Sequence, residues 1–106
     1  MSVLGAVIVP HPPIILPEIG KGEEKKIGKT IEAYRKVARM VADWNPNTVV
    51  ITSPHTVLYA DYFHISPGKK AEGDFLSFGA PNVRITADYD QPFVEELMKR
   101  ARKAHL

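Results

Sequence analysis

The chain has 106 residues, 44% apolar and 25% charged, with a formal net charge of +2 and no cysteine. That balance predicts one globular domain with a modest core, and it excludes a disulfide scaffold, a thiolate zinc finger and a cysteine nucleophile. Lys and Arg alternate with Glu along helical faces, which argues against nucleic acid, and no apolar run approaches the ~20 residues of a membrane-spanning helix or has the flanks of a secretion signal, so a cytoplasmic protein is expected.

Residues 3–9 are almost continuously apolar, with Gly5 inside the run. They predict a strand buried on both faces. Pro10 ends it. The proline-rich stretch from His11 to Gly20 reads as a stiff loop whose apolar side chains lie over the body of the domain, because proline neither continues a central strand nor suits a helix interior. A helix is expected to start between Gly22 and Lys29, with Glu23 and Glu24 at the positive end of its dipole. Ile27, Ile31, Tyr34, Ala38 and Val41 share one face at helical spacing. Asn45-Pro46-Asn47 stops the helix, since the residue before proline is driven out of the α region.

Residues 48–52 predict a second β-branched strand, closed by Ser53-Pro54-His55. Strand, helix and strand make a βαβ unit with parallel strands. The expected fold class is α/β, a parallel or mixed sheet built on that unit with flanking helices. Residues 59–65 alternate like a further strand, and Pro67-Gly68 marks a turn. Residues 72–81 read as irregular, with Phe75, Leu76 and Phe78 as anchors, and Val83 to Thr86 as a short strand. Asp90 is the expected N-cap of a last helix, with Pro92 in its first turn and Phe93, Leu97, Ala101 and Ala104 on its apolar side. The chain ends there with no further strand, which reads as truncation of a larger domain.

Topology carries the chemistry. His11 follows the carboxyl end of the first predicted strand, and His55 follows that of the second. Open α/β sheets bind ligands outside that edge, and neighbouring strands ~4.8 Å apart let side chains at their ends converge on one ion. The flanking prolines limit the backbone of both histidines. Two imidazoles with an added carboxylate and open positions describe the facial triad of non-haem Fe(II) oxygenases. A lone histidine beside proline is more often an ordinary loop residue, so the argument rests on the pair. Glu18 is the nearest carboxylate to His11 but reads as an exposed loop residue. His64 reads as a strand position and His105 as solvated. Tyr59 and Tyr62 suit either a pocket or simple packing. Gly20-Lys21-Gly22 lacks the rest of a phosphate loop.

At Val9-Pro10-His11-Pro12-Pro13 and Thr52-Ser53-Pro54-His55 the sequence resembles the LigB family of class III extradiol ring-cleavage dioxygenases. It is most similar to the branch of the AmmeMemoRadiSam system and the Memo proteins. The stretch from Ile14 to Glu24, and Glu72-Gly73-Asp74-Phe75 through Phe78-Gly79-Ala80-Pro81, extend the likeness over nearly the whole chain. The resemblance implies that residues 1–106 are the N-terminal part of a single LigB-like domain, with His11 and His55 as two metal ligands. It implies Fe(2+) as the cofactor, with Zn(2+) or another divalent metal as the alternative, and a catecholic substrate with O2. In the family a late glutamate completes the site and a downstream histidine is the acid/base; neither has a counterpart here, so a chain inactive on its own is expected. An AMMECR1-type domain, in the same or a neighbouring chain, is an implied partner. Self-association through exposed sheet edges and apolar surface is expected as well. The alternative is a non-catalytic Memo-like metal-binding or protein-interaction module.

Overall fold

The computed structural model describes residues 2–106. The class is mixed α/β. In chain order the regular elements are α1 (Pro17–Gly20), α2 (Gly28–Trp44), β1 (Lys70–Phe75), β2 (Ala80–Asp88) and α3 (Gln91–Lys103), with single 3-10 turns at Pro13–Ile15, Glu23–Ile27 and Leu76–Phe78. Two compact units divide them. The first joins residues up to Asn47 with Asp74–Arg84, and the second joins Thr48–Gly73 with Ile85–Leu106.

In the first unit, α2 is the longest element, and it ends where the sequence says it should. Asn45 takes a left-handed conformation (φ 48°) and its N–H donates to the Ala42 carbonyl at 3.0 Å. Asparagine tolerates that geometry better than most residues, and Pro46 then prevents resumption. Thr30, Ile31, Tyr34, Val37, Val41 and Trp44 are its half-buried side chains, with Ile27 half-buried just before it. Val37 therefore takes the stripe position assigned above to Ala38, which is exposed. Trp44 packs against Gly5: a Cβ on that glycine would sit 2.5 and 2.7 Å from two carbons of the indole ring. The apolar N-terminal run is thus packed on the end of α2 through a residue with no side chain.

The proline-rich loop is more helical than expected. Ile15 and Leu16 donate to the carbonyls of Pro12 and Pro13, and Gly20 and Lys21 to those of Leu16 and Pro17, which closes two short turns. Pro13 and Pro17 each stand at the start of a turn, where the missing N–H costs nothing and the fixed φ is already helical. Proline's exclusion from helix interiors does not extend to first turns, which is why the reading as plain loop fell short. Residues 12–16 are half-buried, as the predicted packing over the body requires.

The sheet is a hairpin of β1 and β2. So short a connection makes the pair antiparallel. The Tyr89 N–H donates to the Lys69 carbonyl at 2.9 Å, and the Lys70 ammonium lies 3.9 Å from the Asp88 carboxylate, which together fix the register. Gly79, at φ 79°, supplies the left-handed residue that turns the chain. Residues 72–81, expected to be irregular, are thus mostly ladder and turn, and the strand expected at Val83 lies inside β2. The runs at 3–9, 48–52 and 59–65 form no hydrogen-bonded ladder among the described residues. Doubly buried strands need cover on both faces, and Ile8 is 102% and Ile51 83% exposed. Ala80, at 6%, is the buried apolar residue among those described.

In the second unit α3 begins as predicted. The Asp90 carboxylate accepts from the Phe93 N–H at 3.1 Å and from the Thr48 hydroxyl. These bonds, that of Thr48 foremost, hold its carboxyl below the ordinary value of 3.8. A folded-state value depressed in this way gives stability that is present above the unfolded pKa and lost as pH falls through the folded one. The helical signal of α3 is therefore expected to decline on acidification below about pH 4. Asp90→Asn keeps a capping oxygen but should remove that pH dependence, which circular dichroism across pH 2–6 measures; an identical acid transition in the variant would show that another group controls it. Among the described residues no helix is long and apolar enough to cross a membrane.

Candidate functional site

His11 belongs to the first unit and is exposed, one residue before the turn that Pro12 opens. Pro12 is extended (φ −71°, ψ 127°) and its carbonyl accepts from the Ile15 N–H at 3.2 Å. The backbone carrying the His11 ring thus leads into a segment pinned by proline geometry and by half-buried Ile14, Ile15 and Leu16. Further along, Lys21 and Gly22 are left-handed (φ 49° and 101°), and the Glu24 carboxylate accepts the Gly22 N–H at 2.6 Å. Gly20 is buried there, and a Cβ on it would meet the Ile14 carbonyl oxygen at 2.7 Å. The loop after the first apolar run is consequently tied back onto itself. Its glycines serve close packing and turning, in keeping with the rejection of a phosphate loop.

His55 belongs to the second unit, in the turn that follows Pro54. Its backbone N–H donates to the Ser53 hydroxyl at 3.2 Å, a local turn of the kind serine favours. The His55 residue is exposed. Downstream, the rings of Tyr59 and Tyr62 stack with centroids 4.1 Å apart and 21° between planes, and the His64 ring lies 6.3 Å from that of Tyr59. Desolvation beside its neighbour, reinforced by the hydrogen bond with Tyr59, pushes the Tyr62 hydroxyl above its usual value. His105 is exposed at a left-handed position (φ 57°) past the end of α3, as its solvated reading required.

The donor chemistry can be tested against a facial triad. Two imidazoles suit Fe(2+) or Zn(2+), but the triad also needs a carboxylate. Among the described residues no group of three or more His, Cys, Asp or Glu side chains is gathered so as to hold a metal ion. Glu18 lies exposed in the first turn of α1 and forms no such group with His11. The residues present therefore do not complete a metal centre by themselves.

One feature escaped the sequence reading. In the second unit Phe63, His64 and Ile65 face Leu97, Met98, Ala101, Arg102 and Leu106 across an open groove of about 500 Å³. Its signal was present in the alternation of residues 59–65 and in the apolar side of α3, but nothing in either pattern says that one faces the other.

Comparison with known proteins gives the chain a place. It is 36% identical over 101 residues to protein CA_C1420 of Clostridium acetobutylicum, an alignment that covers 95% of this chain and 22% of that protein. The chain thus spans about a fifth of the length of the curated relative it matches. No solved structure matches it significantly. The family model for the catalytic LigB subunit of aromatic ring-opening dioxygenase matches residues 5–105, and the chain belongs to the LigB family.

Proposed function

We propose that this chain is the N-terminal part of a LigB-type domain that opens catecholic rings with O2 at a non-haem Fe(2+) centre, in the extradiol manner, with His11 and His55 as two of the metal's ligands. The observation that carries the reading is the family match across residues 5–105, which contains both proline-flanked histidines. On this reading the third ligand, a carboxylate, and the acid/base belong to polypeptide outside these residues. When bound, the metal would supply a template for the substrate oxygens and O2 together with its redox electrons. The chain's own part is to present two imidazoles from loops whose backbones are constrained beforehand. The proposal extends to a cytoplasmic location, to self-association and to an AMMECR1-type domain as neighbour.

Anaerobic Fe(2+) titration followed by oxygen uptake on a panel of catechols tests this. The chain alone is expected to bind the ion weakly and to consume no oxygen above the rate of free Fe(2+). A longer protein containing the same residues and the carboxylate is expected to turn over. No uptake by that iron-loaded protein would reject ring cleavage. The alternative is a Memo-like metal-binding or interaction module without catalysis, and retained metal binding with no turnover by the longer protein would select it.

A further inference from the structure

We draw no further inference here: the strongest candidate, the apolar groove between Phe63–Ile65 and α3, carries nothing because nothing in the structure shows what covers it.

Discussion

In the longer protein that contains these residues and the carboxylate, His11→Ala and His55→Ala are each expected to weaken Fe(2+) binding by at least about 100-fold, since loss of a supporting group outside the ligand shell already costs roughly 10–100-fold. His64→Ala and His105→Ala are the controls. Both lie in the same small chain and carry the same ring, yet one stands beside Tyr59 and the other past the end of α3. Neither should change affinity beyond error. Anaerobic titration against a chelator of known strength measures all four, and imidazole resonances broadened by the paramagnetic ion identify the residues near it. Equal affinity in the His11 variant and the parent would remove that residue from the site, whatever the family match. Loss in only one of the two variants would break the pair on which the assignment depends. Zn(2+) should follow the same order of variants, because the ligand set and not the redox chemistry decides binding.

Gly5→Ala should cost roughly 1–3 kcal/mol, the usual range for overpacking a close contact. The added methyl would enter the space of the Trp44 ring, with two ring carbons 2.5 and 2.7 Å from the ideal Cβ position. Either the indole swings outward or the N-terminal run lifts from α2. The sequence holds one tryptophan, so its emission reports on the surroundings of Trp44. A red shift in emission and a lower denaturation midpoint are expected together. The double variant Gly5→Ala with Trp44→Phe should lose less than the sum of the single changes, as contacting residues do. Strict additivity would mean that the two residues do not meet in solution.

Much of the fold was legible because its signals are local. The end of α2 could be read from Asn45-Pro46, and the start of α3 from Asp90 three residues ahead of Phe93, since caps act through the nearest backbone groups. The hairpin was missed because its turn rests on Gly79 after a 3-10 turn, a longer connection than the two-residue loops that announce themselves in sequence. The helical turns at Pro13 and Pro17 were missed because proline was weighed as a breaker and not as a first-turn residue. Residues 3–9 and 48–52 show the reverse limit. Their β-branched composition states what environment they suit, whereas pairing depends on which other strands are at hand, and no composition contains that information. The expectation that His11 and His55 act as a pair rests on their equivalent places after two apolar runs and on the resemblance of their two motifs. Among the described residues no carboxylate is gathered with two histidines into a metal-holding group, and no local sequence signal points to one.

The carboxylate of Asp90 answers to two stretches of chain at once, the beginning of the run that leads to His55 and the opening turn of α3. Fraying at either place strips a bond from the same group and leaves the other partner to hold it. The approach to one histidine and the root of the last helix are thereby moored to a common anchor.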